Sequence, residues 1–203
     1  MPRRRSLLFG SVVGLLAASG GVLLYRRRSG PVFEPDNEVC VVAPTFAYDP
    51  SSGLPPMAAR EVPAQARCPV CGMFPARNRN WAAQVIFQDG HVQYLDSPLS
   101  LFHYLQQVPR YTPGRRAAEI AAIYVSDLGS GQWLDADQAL YVHGSSMLGP
   151  MRSGNLPAFA SQAQARTFIS QKGGGIMSAA ELRKGLPESL QQMAPHHHDG
   201  ARP

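Results

Sequence analysis

Cysteine is scarce in this sequence, which contains only three cysteines among its 203 residues. An exported domain stapled by disulfides would need several pairs, so the low and odd number argues against a disulfide scaffold. Charged residues are also few, at 16% of the chain, while 44% of the residues are hydrophobic, as in an ordinary folded protein. The 18 prolines and 19 glycines predict many turns and short elements rather than long helices.

Acidic residues are absent from the first thirty positions, which contain six of the 19 basic residues. The rest of the chain then carries 13 basic against 14 acidic residues and is close to neutral. The formal net charge of +5 therefore belongs to the N-terminal end and does not describe a basic surface on the folded part. This distribution argues against a nucleic-acid-binding protein.

The N-terminal segment Ser6–Tyr25 has no charged residue and is mostly apolar, with arginines on both sides. As a helix, about twenty residues would cross roughly 30 Å of hydrocarbon. We predict that residues 1–28 are a membrane anchor or an export signal, the latter cut near residues 17–19. The apolar run resumes at Val22, which favours the uncleaved anchor. Cys40 lacks the small preceding residues that a lipoprotein cysteine needs.

Composition divides the remaining chain into three parts. Residues 29–65 are rich in proline and predict a linker, in which EVCVVA could dock as an extended segment. Residues 66–186 predict the folded domain. Residues 187–203 predict a disordered tail that contains His196–His198.

Residues 81–108 carry signals for strand, turn, strand and helix in that order. Apolar residues alternate on both sides of an Asp89-Gly90 turn, which is typical of a hairpin. Asp96 or Ser97 can then cap a helix that has Pro98 at its first position.

The rest of the domain carries a similar series of strand and turn signals, followed by signals for two helices. Ser161 and Gly173 bound the longer helix, and Ser178 opens a short one with a capping-box pattern. The segments that predict strands are 121–127, 132–135 and 140–144. We therefore predict an α+β fold of two small strand-strand-helix units after the N-terminal helix.

Residues 68 to 73 read CPVCGM and place two thiols and a thioether within six positions. Such a pair can be a redox dithiol, half of a zinc site, a disulfide clip or a soft-metal site. Zinc would need a second Cys/His pair, and His91, His103 and His143 do not have the spacing of one. A thioredoxin-like dithiol opens a helix, whereas Gly72 and the Phe-Pro that follows predict a turn before a strand. A thiol-disulfide oxidoreductase stays the main alternative.

The soft-metal interpretation uses more of the sequence. Thiolates and thioethers select Cu(I), and Met73 lies two residues after Cys71 in a glycine-containing turn. His143, Met147 and Met151 follow at four-residue steps in a loop rich in glycine and proline. Methionines more often fill gaps in a core, and a histidine at a strand end is often a surface residue. A structural role for these three residues therefore stays open beside a role in metal binding.

These motifs together resemble the NosL family, accessory proteins of nitrous oxide reductase. The resemblance covers roughly residues 66–184 and rests on the order of CPVCGM, WAAQVIF before DG, DSP, YVSD, WLDA, ALYV, GPM and PAFA. It implies a small α+β fold of paired strand-strand-helix units that binds copper through Cys, Met and His side chains. Cys68, Cys71, Met73 and Met151 match family motifs, whereas His143 and Met147 are candidates on chemistry alone.

The resemblance also implies a function in denitrification. The expected protein is a periplasmic, membrane-attached Cu(I) chaperone that delivers copper for the copper-sulfide centre of nitrous oxide reductase, with the associated membrane transporter complex as a partner, and it needs no catalytic turnover. Typical relatives are lipoproteins, so here we expect attachment to the periplasmic side of the inner membrane through the N-terminal helix, or export after cleavage. The His196–His198 tract could bind Cu(II) or Zn(II), or simply be solvated.

Overall fold

The structure is a computed structural model that describes residues 43–152 and 154–191. The predicted anchor at residues 1–28, Cys40 and the His196–His198 tract lie outside the described residues, as does all but the last residue of EVCVVA. Across the two described ranges, no helix combines the length and the apolar character needed to cross a membrane.

The first sheet has four antiparallel strands in the order β2-β1-β3-β4. The strands are β1 (Ala83–Phe87), β2 (Val92–Leu95), β3 (Ile120–Ser126) and β4 (Trp133–Asp135). β1 and β2 are buried at every position, so both faces of this hairpin are covered by other parts of the chain.

The predicted Asp89-Gly90 turn joins β1 to β2. The backbone N–H of Gly90 donates to the carbonyl of Phe87 at 2.7 Å, and the side chain of Asp89 accepts from the N–H of His91 at 3.1 Å. Gly90 has a φ of 79°, and a Cβ added there would lie 2.8 Å from the Cβ of Tyr48. Only glycine meets both the backbone and the packing requirement of this turn.

Helix α1 (Pro98–Gln106) begins where the sequence predicts. The hydroxyl of Ser97 accepts from the N–H of Ser100 at 3.3 Å, and Pro98 occupies the first helical position. Phe102 reaches Tyr141 in the second sheet, with ring centroids 5.1 Å apart in an edge-to-face arrangement. A short helix, α2 (Val108–Tyr111), follows.

The second sheet has three antiparallel strands in the order β6-β5-β7. They are β5 (Leu140–His143), β6 (Ala158–Phe159) and β7 (Gly175–Ser178), and α3 (Gln162–Lys172) connects β6 to β7. The capping residues Ser161 and Gly173 bound α3 as predicted, and Ser178 with Glu181 opens α4 (Ala179–Lys184). A final helix, α5 (Glu188–Gln191), lies within the predicted tail.

The division into units differs from the prediction of two strand-strand-helix units. β1, β2 and α1 form the first unit, but β3 and β4 extend the first sheet instead of opening a second unit. β1 is buried on both faces and needs partners at both edges, and β3 supplies the second edge from Ala83 opposite Val125 to Phe87 opposite Ile120. The second unit is then built from β5 and two strands that the sequence pattern did not indicate.

Asp127 joins the two sheets at the end of β3. Its Oδ1 accepts from the N–H groups of Gly129 at 3.0 Å and Ser130 at 2.7 Å, and its Oδ2 accepts from the N–H of Ala160 at 2.8 Å. Asp127 also forms a parallel bridge with Ala158 of β6. Its carboxylate thus fixes β6 against the first sheet.

The described part of the proline-rich segment, residues 43–67, lies against the first sheet. Phe46 and Val92 exchange two backbone hydrogen bonds of 2.8 Å. The backbone of Arg60 pairs with the amide of Gln84 through bonds of 3.0 and 3.1 Å. This segment, assigned to the linker up to residue 65, therefore pairs with the edge of β2. It also covers one face of the sheet, where Val62 and Ala66 share a buried cluster with residues of β1 and β2.

Candidate metal site

CPVCGM forms a tight turn ahead of the first sheet. The N–H of Gly72 donates to the carbonyl of Cys68 at 2.8 Å, and the N–H of Cys68 donates to the carbonyl of Met73 at 2.8 Å. Gly72 has a φ of 75°, in the left-handed region that glycine adopts without strain. The turn folds the chain back so that Cys68 and Cys71 stand next to each other.

Two arginines hold the end of this turn. The guanidinium of Arg67 lies 4.3 Å from the ring centre of Phe74, and that of Arg77 lies 4.8 Å from it. Arg67 also donates to the carbonyl of Gly72 at 3.4 Å. These cation–π contacts tie the turn to the 3-10 segment Pro75–Trp81 that leads into β1.

Cys68, Cys71 and Asp96 each bring one potential ligand atom into a group whose members all lie within 4.8 Å of one another. Both cysteines are free thiols. Cys68 and Asp96 are buried, at 0% and 1% exposure, whereas Cys71 is half-buried. Cys71 is therefore the member of the group that an incoming ion or side chain can reach first.

The carboxylate of Asp96 is incompletely bonded. Its Oδ1 accepts a long hydrogen bond of 3.4 Å from the hydroxyl of Ser97, and its buried Oδ2 has no hydrogen-bond partner among the described residues. A buried carboxylate oxygen without a partner is destabilising, because it has left water without regaining a donor. Asp96 is thus available to a positively charged partner.

Met151 reaches the same place from a distant part of the chain. The hydroxyl of Ser100, in the first turn of α1, lies 3.9 Å from the sulfur of Cys71 and 4.0 Å from the sulfur of Met151. One oxygen atom therefore touches both sulfurs. The CPVCGM turn and the loop between β5 and β6 converge on the N-terminal end of α1.

The loop that carries Met151 is held by Asn155, which is buried. Its side-chain amide donates to the carbonyls of Ser145, at 3.2 Å, and Met147. Gly154 has a φ of 72°, and a Cβ there would lie 2.7 Å from Leu190 of α5. The loop is therefore packed beneath α5, and Met151 stays half-buried at its tip.

The pKa of the Cys71 thiol is raised well above its ordinary range. The largest cause is the hydrogen bond with the Cys68 side chain, followed by burial and by the negative charges of Cys68 and Asp96. The hydrogen bond from the backbone N–H of Met73 lowers this pKa but does not outweigh these causes. A thiol that keeps its proton is a poor nucleophile at neutral pH. This arrangement disfavours Cys71 as the attacking thiol of the oxidoreductase alternative.

His143, Met147 and Met73 are the remaining predicted ligands. His143 lies at the end of β5, paired with Gly175 in the second sheet, and does not belong to the three-atom group that the described residues form. Met147 is half-buried, with its carbonyl bonded to Asn155. Met73 is half-buried beside Cys71, where its backbone N–H bonds the Cys71 sulfur.

Asp96 was missed as a site residue, because in the sequence it appears only as an alternative cap for α1. In the structure Ser97 provides the cap, so the carboxylate one residue earlier has no structural task at the helix end. The signal lies in the DSP motif itself. A charged residue immediately before a serine and a proline that already suffice to start a helix is available for another role.

The chemistry of these donors favours a metal ion over other ligands. Two thiols and a thioether are soft donors, which select Cu(I). The site also lies between a turn and a loop, where ligands can adjust more readily than in a rigid core.

Comparisons with known proteins match the chain to one family. A family model described as NosL matches residues 59–186. The chain is similar to the copper-binding lipoprotein NosL of Achromobacter cycloclastes, with 32% identity over 102 residues that make up 44% of this chain and 53% of that protein. It is also similar to the copper-binding lipoprotein NosL of Stutzerimonas stutzeri, with 28% identity over 141 residues, or 66% of this chain and 68% of that protein.

A solved structure has a similar fold. The crystal structure of the copper chaperone NosL from Shewanella denitrificans superposes with a TM-score of 0.52 and 22% identity, covering 63% of this chain and 96% of that chain. At this identity the likeness concerns the fold. The mixed arrangement of helices and antiparallel sheets is therefore shared with that protein.

Proposed function

This chain belongs to the NosL family, and from that premise we propose that it is a Cu(I) carrier that holds one cuprous ion between the CPVCGM turn and the Met151 loop. One observation carries the proposal. The hydroxyl of Ser100 lies within 4.0 Å of both the Cys71 and the Met151 sulfur, so soft donors from two distant segments face one point.

The proposed ligands are the Cys71 thiolate, the Met151 thioether and the Cys68 thiolate, with Met73 as a further thioether donor. Cu(I) accepts two or three such ligands without a strict geometry. The raised pKa of Cys71 means that an ion must displace a strongly held proton when it binds. Copper binding should therefore weaken as the pH falls.

Release to a partner follows from the position of the ligands. Cys71, Met73 and Met151 are half-buried, whereas Cys68 is buried. A donor group on an acceptor protein can displace the half-buried ligands one after another, while Cys68 retains the ion until the last exchange. Such a transfer needs no catalytic turnover.

The acceptor and the location complete the proposal. Two relatives are named copper-binding lipoproteins, which are exported and held at a membrane by lipid. We propose that this chain works on the periplasmic side of the inner membrane, attached through residues 1–28. The Cu(I) that it carries would be used to assemble the copper-sulfide centre of nitrous oxide reductase. The associated membrane transporter complex would take part in this delivery.

A competition titration tests the carrier. The purified chain is titrated with Cu(I) under anaerobic conditions in the presence of a chromogenic Cu(I) chelator. We expect one tightly bound ion per chain, with affinity lost in Cys71→Ala and lowered about tenfold or more in Met151→Leu. Met73→Leu and Met147→Leu then report whether either thioether contributes.

Met57→Leu serves as the matched control, because Met57 is a half-buried methionine whose carbonyl accepts from Tyr124 at 2.9 Å, on a different part of the domain. Its copper affinity should equal that of the unaltered chain. Equal affinities for the unaltered chain and for Cys71→Ala would contradict the proposed function. An affinity that falls in Met57→Leu as much as in Met151→Leu would contradict the role of the Met151 loop.

A further inference from the structure

Three exposed arginines flank the turn and the loop that carry the half-buried sulfur atoms. Arg67 directly precedes the CPVCGM turn, Arg77 lies against Phe74 just after it, and Arg152 directly follows Met151. We call Arg67, Arg77 and Arg152 the arginine rim, and we infer that it is a docking surface for a protein partner with an acidic face. The inference deepens the proposed function, on which it rests for the role of that partner as the receiver of the ion.

Two of the guanidinium groups lie against the same aromatic ring. The guanidinium of Arg67 is 4.3 Å and that of Arg77 is 4.8 Å from the ring centre of Phe74. Like charges held this close repel each other. Neither arginine belongs to an ion pair of the described residues, whereas Arg79 bonds Glu61 at 2.7 Å. Carboxylates of another protein would supply the missing negative charge.

Arg152 stands in a backbone conformation that does not suit its residue type. Its φ of 59° makes it the only residue other than glycine with a positive φ in the described part of the chain. An arginine in this left-handed region is strained, whereas a glycine is not. Arg152 is exposed and is also absent from the described ion pairs. The loop's own conformation therefore does not explain the arginine, and a role in binding would.

An exposed leucine lies in the same loop as Arg152. Leu148 is 56% exposed, more than Leu54 at 42%, the other exposed large hydrophobic residue that the structure describes. A single exposed leucine is ordinary on a protein surface. Its position beside the arginine rim nevertheless fits the usual composition of a protein interface, in which apolar contacts lie within a polar margin.

The position of the arginine rim favours a protein over an anionic lipid surface. Cys71 and Met151 are half-buried, and an acceptor has to bring a donor atom to them. Lipid headgroups bound to the arginines would cover these residues without supplying such a donor. An acidic protein face would be attracted to the rim and oriented by it, which speeds productive encounter.

Binding of designed peptides to the metal-free chain tests the inference without depending on copper. Two fluorescent peptides share a central apolar sequence and differ only in the residues around it, which are glutamates in one and glutamines in the other. Fluorescence anisotropy measures their binding to the purified, reduced full chain at low ionic strength. We expect the glutamate peptide to bind about tenfold tighter or more. This preference should largely disappear at about 0.5 M salt.

Variants of the rim connect the preference to its residues. Arg67→Gln, Arg77→Gln and Arg152→Gln should each lower the affinity for the glutamate peptide about threefold, and the triple variant about tenfold or more. Arg67→Lys should keep most of the affinity, because it retains the charge while it changes the contacts of the turn. Leu148→Ser should weaken the binding of both peptides to the same extent.

Arg166→Gln is the matched control, because Arg166 is an exposed arginine in α3 that is likewise absent from the described ion pairs. It should bind both peptides like the unaltered chain. Circular dichroism checks that every variant is folded, and the Cu(I) titration described above is repeated on the unaltered chain.

The outcomes are distinct. Equal affinities for the two peptides, or a loss in Arg166→Gln as large as in the triple variant, would overturn the inference. Arginine-dependent binding to vesicles of phosphatidylcholine and phosphatidylglycerol, without a preference for the glutamate peptide, would assign the rim to a lipid surface and overturn it as well. Cu(I) binding without a peptide preference would overturn the inference and leave the carrier function standing. Arginine-dependent peptide binding by a chain that does not bind Cu(I) would support the docking surface and contradict the carrier function.

Discussion

Replacing Asp127 by asparagine should destabilise the fold, because this carboxylate joins the two sheets. Asp127 is 0% exposed and accepts four hydrogen bonds, three of them at Oδ1 from Gly129 and Ser130 and one at Oδ2 from the N–H of Ala160. An asparagine can keep its oxygen at the Oδ1 position. Its amide group would then face the N–H of Ala160, which loses its acceptor.

The magnitude follows from these bonds. Leaving the Ala160 N–H buried without a partner costs about 1–3 kcal/mol, and weakening the other three bonds from charged to neutral acceptors adds about 1 kcal/mol in total. We expect a loss of about 2–4 kcal/mol in the free energy of unfolding at pH 7. For a chain of this size that corresponds to a melting temperature lower by roughly 5–15 °C.

The effect should also depend on pH. Burial raises the pKa of Asp127, but the hydrogen bonds from Ser130, Ala160 and Gly129 outweigh it and hold the pKa below its usual range. The charged form is therefore favoured in the folded state. Its stabilisation is present above the unfolded pKa of about 3.9 and is lost as the pH falls through the lower folded pKa. The difference in free energy of unfolding between the unaltered chain and Asp127→Asn should thus become smaller at acid pH.

Thermal unfolding followed by circular dichroism, between pH 3 and pH 7 in roughly half-unit steps, measures both effects. Asp135→Asn is the matched control, because Asp135 accepts from the N–H of Asp137 at 2.8 Å in a similar turn but is exposed. It should shift stability by less than about 0.5 kcal/mol. A stability change of that small size in Asp127→Asn would refute the reasoning. A stability difference between Asp127→Asn and the unaltered chain that stays constant with pH would also refute it.

Two further predictions concern the hairpin and the end of α1. Gly90→Ala should destabilise the fold by about 2–3 kcal/mol in denaturant unfolding, because its Cβ would meet Tyr48. Gly53→Ala should cost only about 1 kcal/mol, since nothing lies within 4 Å of a Cβ there. Equal losses of stability in the two variants would contradict this prediction. Burial lowers the pKa of His103, whose Nε2 donates to the carbonyl of Leu190 at 2.9 Å. The unfolded chain therefore binds the proton more readily, so stability should fall as the pH drops below about 6.5, and His103→Gln should lose that part of the pH dependence in thermal unfolding between pH 5 and pH 7.5.

Local signals in the sequence predict several elements well. Asp89-Gly90, Ser97-Pro98 and Ser161 with Gly173 each determine the chain conformation within a few residues, and each bounds an element in the structure. Turn and cap chemistry acts over such short distances that no tertiary information is needed.

The arrangement of the sheets could not be predicted in the same way. β6 has two residues, which is too short for any periodicity, and β7 begins at Gly175 in a run of glycines that is typical of a loop. Their strand character comes from pairing with β5, a contact made only after the chain has folded. The same reason explains why β3 joins the first sheet.

The candidate site was predictable in its donors and not in its geometry. CPVCGM indicates a metal through its own residues, whereas the approach of Met151 depends on where the loop after β5 meets α1. His143 shares a four-residue spacing with Met147 and Met151, but it ends β5 opposite Gly175 and is not in the group of donor atoms that contains the two thiols. Asp96 was indicated only by a surplus acid beside a sufficient helix cap.

The convergence of the turn and the Met151 loop on Ser100 has a consequence for how a loaded molecule differs from an empty one. An ion that bridged Cys71 and Met151 would act as a removable cross-link between parts of the chain that are far apart in sequence, and would close a long loop in the same manner as a covalent staple. Loading would then stiffen the docking of the two sheets. In the proposed carrier function, a receiving protein that binds the stiffened form more tightly would distinguish a loaded chain from an empty one before any ligand exchange begins.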